Sequence, residues 1–348
     1  MRVMPAFTTR FAPAPTGYLH LGHVVNAVWV WGYARAHDGR VLLRLEDHDA
    51  GRCRPEYEAA ILDDLDWLGF VPDGATTDTF RAGAHPQRQS DNRARYLARL
   101  TELETTELET TDLETTARTT TDTEASPLAY PCICSRTEIR TEIRTAIARA
   151  AQFSTGDPVS EFPEAHELRY PGTCRTRGIN PSSTAARRVR MGRPLESGRP
   201  AVEQFDDLRL GPQVQDPVAQ CGDILARDRH GNFTYQFAVV VDDIDQEIDL
   251  VIRGADLLDS TGRQIRLART LGRSTPARFL HHPLVRHLDG SKLSKSAGDT
   301  GIRELRAAGM SAAEVLGRAC AHAGVSHDGS PIDARDIAAL FAHLPSIA

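Results

Sequence analysis

The first hundred residues alternate two kinds of apolar pattern. "AFTTRFAP" is a short apolar run that breaks at "PAPTG" and predicts a strand, and "LGHVVNAVWVWGYARAH" is a long apolar stretch that predicts a helix. "RVLLRLE" predicts a second buried strand. "PEYEAAILDDLDWLG" opens with Pro55 at a helix start and closes at Gly69. Strand–helix–strand–helix order predicts a parallel α/β sheet. The alternation resumes at "GDILAR", "FTYQFAVVVDD" and "DLVIR", followed by a helix over "DLLDSTGRQIRLARTLG". A Pro-, Gly- and Arg-rich stretch at 125–200 separates the two halves and reads as an insertion.

Two repeats interrupt this order. "LETTELETTDLETTA" (103–117) has period five, so its leucines form no helical stripe. Its Thr-rich acidic composition predicts a loosely ordered expansion with no part in chemistry. "RTEIRTEIRTAI" (136–147) has period four, which aligns Ile139, Ile143 and Ile147 on one helical face.

Composition narrows the class. A chain of 348 residues buries a substantial core and divides into two or three domains. It has no apolar run of membrane-spanning length and no signal-peptide pattern, so a cytoplasmic, soluble protein without a membrane partner is expected. The net charge of −6 conceals an imbalance. Residues 101–124 hold eight acids against Arg118 alone, a charge of −7, so the remainder carries +1 and a nucleic-acid partner stays open.

Arginine supplies 39 of the 41 basic side chains, and the two lysines, Lys292 and Lys295, sit together in "DGSKLSKS". A lysine is a compact charge on a flexible stem, suited to a phosphate oxygen where the planar guanidinium fork does not fit. At the other end of the chain, "RFAPAPTGYLHLGH" (10–23) places a Pro/Gly turn before a helix that starts at His-Leu-Gly-His. A helix N-terminus presents unpaired N–H groups to an anion. Gly22 allows close approach of a nucleotide, and His20 and His23 can donate to phosphate. The chain has neither G-x-x-x-x-G-K-[ST] nor G-x-G-x-x-G.

Together "HLGH" and "KLSKS" resemble the HIGH and KMSKS signatures of class I aminoacyl-tRNA synthetases. "LLRLEDHD", "YQFAVVVDD", "VIRGADLL" and "HHPLV" extend the resemblance to the glutamyl-tRNA synthetase group along nearly the whole chain. The resemblance implies a Rossmann-like parallel sheet and activation of L-glutamate by ATP with Mg²⁺. Arg10 and Arg253 are then the cations for carboxylates, Glu46 the ammonium partner and Tyr235 a hydroxyl and a wall, with Ala12 and Ala14 beside them. Ala14 stands where the family usually has serine, so one hydroxyl contact is missing or supplied by water. His20, Gly22, His23 and Lys295 would hold ATP. His20, His23, Lys292 and Lys295 would carry the catalytic charge stabilisation.

Cys132 and Cys134 in "YPCICSR", with Cys174 about forty residues on, supply three thiolates for a tetrahedral metal. Ligand chemistry nominates His166 as the fourth donor, whereas the resemblance points to Tyr170 and implies a structural zinc site in an acceptor-end insertion. Only 52 residues follow Ser296, reading as short helices, with no room for the large anticodon-binding region of the full-length enzymes. That matches a truncated branch of the family, whose implied reaction forms glutamyl-adenylate without tRNA and transfers glutamate to the queuosine base at the wobble position of tRNA(Asp). A minimal enzyme charging tRNA(Glu), an inactive zinc-bearing RNA-binding module and a pantothenate–β-alanine-type ligase are the competing classes.

The expected organisation has the first half of the catalytic domain at 1–100, the low-complexity insertion at 101–124 and the zinc-binding insertion at 125–200. The second catalytic half is expected at 201–288, and the KLSKS loop with a short helical end at 289–348, in a monomer.

Overall fold

The computed structural model describes residues 5–106, 127–153, 169–180, 182, 184–192, 202–285 and 301–346, with the side chains of 146–153 excepted. In chain order the elements are β1 (Thr8–Phe11), α1 (Leu21–Ala36), β2 (Arg40–Leu43), α2 (Pro55–Leu68), α3 (Thr77–Arg81) and α4 (Arg93–Thr105). There follow β3 (Ala129–Cys132), α5 (Arg136–Phe153), β4 (Ala186–Val189), β5 (Glu203–Asp207), β6 (Gly211–Gln215), α6 (Pro217–Cys221) and β7 (Ile224–Arg227). The chain then forms α7 (Tyr235–Asp245), β8 (Leu250–Gly254), α8 (Thr261–Thr270), β9 (Arg278–His282), α9 (Ile302–Ala307) and α10 (Ala312–His322). Among the described residues, 3₁₀ helices lie at Gln89–Asn92, Ala255–Ser260 and Ala334–Leu340.

The predicted parallel arrangement is present. β1 pairs with β2, and β8 pairs with β9, which pairs in turn with β5, all in parallel; β6 closes that edge antiparallel to β5. Asp249, just ahead of β8, donates its N–H to the Thr8 carbonyl (2.9 Å), and its carboxylate accepts the Thr8 N–H (2.8 Å), setting β1 alongside β8. "GDILAR" departs from the expectation. Its strand, β7, joins β3 and β4 of the insertion in an antiparallel sheet. A four-residue apolar run specifies a strand but not the sheet it enters, which depends on contacts far away in sequence.

α1 is buried on nearly every side, from Val24 through Ala34, as its uninterrupted apolar text requires. The last helices pack onto it. Val315, Leu316 and Ala319 of α10, with Ile337 and Phe341, share its core; the Trp29 indole N–H donates to the Ala323 carbonyl (3.0 Å). A Cβ on Gly32 would lie 2.3 Å from the Phe341 ring, so a glycine is needed where this helical end crosses α1. α2 stops at Gly69, whose φ of 80° is open to glycine at little cost.

The acidic repeat begins inside a helix. α4 runs to Thr105, and Leu103, the first leucine of the repeat, is buried against Tyr96 and Leu100. The helix therefore extends past the expected boundary at residue 100, because Leu103 finds a core; residues 107–126 lie outside the described residues. In α5, Ile139 is buried and Ile143 half-buried over the cysteine cluster, on the face that period four predicts. The side chain of Ile147 lies outside the described residues.

The C-terminal ends of β1, β2, β8 and β9 open onto one edge of the sheet, and the loops that follow them meet there, at the position where open parallel sheets bind ligands.

Candidate active site

A cavity of about 650 Å³ occupies that edge. Arg10, Ala12, Ala14, Glu46, Tyr235 and Arg253 all line it, together with His20, Gly22 and His23. Four separate chain segments thus bring the predicted amino acid residues and the predicted nucleotide residues into one space. Lys292 and Lys295 lie outside the described residues. The chain leaves them at Val285, which lines the cavity, and re-enters at Gly301, which bridges to His20, while Ile302 N–H donates to the Leu19 carbonyl (2.9 Å). A larger open groove of about 1500 Å³ runs along the opposite strand ends, past Thr8, Arg40 and Asp249. It holds none of the motif residues, and its Arg35 and Arg99 are already paired with Asp73 and Asp245.

The two histidines cap their own helix. His20 is the N-cap of α1 and its Nδ1 accepts the Gly22 N–H (3.1 Å), while His23 Nδ1 accepts the His20 N–H (3.1 Å). An accepting Nδ1 leaves the ring proton of a neutral imidazole on Nε2, the atom that can donate to a phosphate oxygen. The rings lie 3.8 Å apart. A Cβ at Gly22 would stand 3.0 Å from His20 Cε1, so glycine is what allows the first ring to fold back over the turn.

Behind the cavity lies a charge network that sequence reasoning did not find. Asp243 accepts Arg10 Nε (3.0 Å) and Arg44 Nη1 (2.7 Å), and Arg44 Nη2 donates on to Glu46 (3.3 Å). Arg44 is completely buried. Burial opposes ionisation of Asp243, yet the two guanidiniums outweigh it and hold the carboxyl below its usual range. Glu46 goes the other way: burial pushes its carboxyl up against the pull of Arg44 and Arg10. Burial and the neighbouring Glu46 likewise raise Tyr235, keeping it a neutral phenol.

Arg253 is held differently. Its Nε donates to His281 Nε2 (3.1 Å), Nη1 to Gln264 (2.6 Å), and Nη2 to Thr261 (2.9 Å) and the Leu257 carbonyl (3.2 Å). His281 Nδ1 lies 2.7 Å from Asp207, which fixes the tautomer that accepts from Arg253, and burial lowers the imidazole's affinity for a second proton. All four partners of Arg253 are neutral. No carboxylate among the described residues bonds Arg253 directly, since Asp207 stands behind His281, and the guanidinium lines the cavity where it can meet an anion. Asn26, paired with His282 (3.0 Å), also lines the cavity and was not foreseen.

The second predicted cluster also assembles. The sulfurs of Cys132, Cys134 and Cys174 lie within 4.8 Å of one another, with Cys134 and Cys174 at 3.4 Å. The Tyr170 hydroxyl stands 3.5 Å from Cys132 Sγ and 3.7 Å from Cys134 Sγ. His166 lies outside the described residues. Tetrahedral zinc with Zn–S near 2.3 Å spaces its sulfurs by about 3.8 Å, so the donor set fits such an ion. Without a cation these acids crowd each other: burial and Cys174 push Cys134 up to about 12. The Arg188 guanidinium covers the Tyr170 ring at 3.7 Å and its Nε donates to Cys132 Sγ.

The comparisons agree with this architecture. The sequence model of the tRNA synthetases class I (E and Q), catalytic domain, matches residues 6–108 and 125–332. The chain belongs to that family. A Burkholderia cenocepacia protein named Glutamyl-Q tRNA(Asp) synthetase is 38% identical over 325 residues, 93% of this chain and 90% of the relative. One of the same name from Ralstonia nicotianae is 40% identical over 294 residues, 84% of this chain and 78% of the relative. Among solved structures, the glutamate-tRNA synthetase of Elizabethkingia anophelis superposes with a TM-score of 0.68 at 22% identity, covering 95% of this chain and 65% of that one, a likeness of fold.

Metal analysis tests the cysteine cluster. About one tetrahedral divalent ion per chain is expected, falling well below one in Cys134→Ser; a metal-free protein that melts at the same temperature with and without chelator contradicts the assignment.

Proposed function

We propose that this protein activates L-glutamate with ATP in the absence of tRNA and transfers the glutamyl group to the queuosine base of tRNA(Asp). The observation that carries the first half is the pairing of a buried guanidinium whose partners are all neutral, Arg253, with a buried carboxylate, Glu46, in one cavity. Glutamate presents two carboxylates and one ammonium. Arg10 and Arg253 receive the anionic end through charge-assisted bonds, and Glu46 receives the ammonium. A neutral glutamine side chain forms no charge-assisted bond to Arg10 or Arg253 and is disfavoured for that reason.

The α-carboxylate attacks the α-phosphorus of ATP, forming the acyl–phosphate bond as the bond to the departing pyrophosphate breaks. No covalent enzyme nucleophile is needed, so the protein's work is positioning and charge stabilisation. His20 and His23 act through Nε2 at the N-terminus of α1. Lys292 and Lys295 act on the phosphates from the segment that departs and returns beside the cavity, and Mg²⁺ enters with ATP. Cys132, Cys134, Tyr170 and Cys174 would hold zinc, which would supply a structural cross-link of the insertion. The acceptor assignment rests on the activity for which relatives aligned over most of this chain are named.

A glutamylation assay on purified tRNA(Asp), with and without queuosine and beside tRNA(Glu), tests the reading. Labelled glutamate is expected only on queuosine-bearing tRNA(Asp), with glutamate-dependent ATP–pyrophosphate exchange in the absence of any tRNA. Charging of tRNA(Glu), or exchange that requires tRNA, contradicts it. The pocket makes a second prediction. A proton and the substrate ammonium compete for Glu46, whose carboxyl is raised, so the KM for glutamate rises on acidification before ordinary glutamate carboxyls titrate. Glu46→Gln raises KM about 10- to 100-fold, the loss of a charge-assisted bond, and flattens that dependence; a pH-sensitive KM that survives the substitution contradicts the assignment.

A further inference from the structure

His48 is a cavity imidazole that the proposed reaction leaves without a task. It follows Glu46 by two residues on the loop after β2 and lines the glutamate cavity. It also lines a second cavity of about 540 Å³, and Arg52 and Tyr235 are shared in the same way, so these three side chains stand where the two spaces meet. The far wall of the second cavity carries Arg136 and Arg140 of α5, Arg188 of β4 and Arg263 of α8. Its acids Asp49, Asp223 and Asp228 are already engaged, by Arg52, by Arg175 and by the N–H groups of His230 and Asn232. Arg136 and Arg140 are exposed there and suit a polyanionic acceptor arriving from that side, whereas Arg188 is held by Cys132 and the Asp223 carbonyl.

The ring of His48 is held in one tautomer. Its Nδ1 lies 2.6 Å from Gln89 Oε1, and Gln89, itself buried, donates Nε2–H to Asp242 (2.7 Å). Asp242 also accepts from Arg95 and Tyr96, so the amide of Gln89 must turn its nitrogen toward the carboxylate and its oxygen toward His48. His48 Nδ1 therefore carries the proton, and Nε2 carries a lone pair that no hydrogen bond among the described residues takes. The loop is braced as well. Ser90 donates its N–H and hydroxyl to Asp47 (2.8 and 2.6 Å), and Leu45 donates its N–H to the Gln87 carbonyl and accepts the Gln89 N–H (both 3.0 Å).

We infer that His48 is the general base of the transfer step. Nε2 takes the proton of the acceptor hydroxyl as that oxygen bonds to the glutamyl carbonyl carbon. The bond from that carbon to the phosphate oxygen breaks, and AMP leaves with its electron pair. The assignment rests on the glutamyl-adenylate reading above. The resulting imidazolium faces Glu46, Asp49 and Arg52 from its own loop, Asp242 of α7 behind Gln89, and the guanidiniums of α5, β4 and α8 across the cavity.

Single-turnover transfer from preformed adenylate, measured beside ATP–pyrophosphate exchange, tests this in His48→Asn, whose amide still donates to Gln89 but cannot act as base. Transfer is expected to fall at least about 100-fold more than exchange and to lose its rise with pH. Gln89→Leu, which keeps the imidazole but frees its tautomer, is expected to give a smaller loss with the pH dependence retained. Equal losses in both half-reactions, or unimpaired transfer, overturn the assignment. The measurement uses whichever of queuosine-bearing tRNA(Asp) and tRNA(Glu) the wild type charges. Charging of tRNA(Glu) would overturn the proposed acceptor while leaving the His48 comparison valid; charging of neither overturns both.

Discussion

The carboxylate of Asp243, shared by Arg10 and Arg44, is the contact on which the rest of the site depends. It ties α7 to β1 and to the residue that follows β2, and through Arg44 it reaches Glu46 on the same loop. Three elements far apart in sequence are thereby fixed at one edge of the sheet. Stability alone does not account for such a device. Well-packed apolar residues of similar volume often serve as well, whereas removing one member of a buried pair costs about 3–5 kcal/mol because the survivor keeps its charge. What the network supplies is orientation: Arg10 is aimed at the cavity by a partner that it cannot leave.

Arg253 supplies the complementary half. Its guanidinium is oriented as rigidly as that of Arg10, but by neutral groups: His281 backed by Asp207, with Gln264 and Thr261 beside it. The cavity is thus shaped before a ligand arrives, with no carboxylate among the described residues bonded directly to Arg253. A neutral His281 is essential here, since a second proton on that ring would replace an acceptor with a cation. Burial lowers its proton affinity in the required direction.

Much of this was legible in the sequence, for identifiable reasons. Strands and helices with strong periodicity appeared where the pattern placed them, and α1 is buried all round because its text is apolar all round. The motif residues that line the cavity were legible because each lies in a short stretch with its own character. Arg44 and Asp243 were not, though each is a charge inside an apolar run. That oddity is visible, but the partner that resolves it sits about two hundred residues away. The Gln89–His48 bond is hidden for the same reason. The capping role of His20 escaped because helix N-caps are usually Ser, Thr, Asp or Asn. The sheet membership of β7 and the burial of Leu103 depend on long-range packing, which local spacing does not encode.

A crystal structure with a non-hydrolysable glutamyl-adenylate analogue bound tests the account most directly. The account predicts the analogue's side-chain carboxylate within hydrogen-bonding distance of Arg10 or Arg253, its ammonium on Glu46 and its phosphate against Nε2 of His20 or His23. An analogue seated with its ammonium near Arg253, or in the arginine-walled second cavity instead, contradicts it.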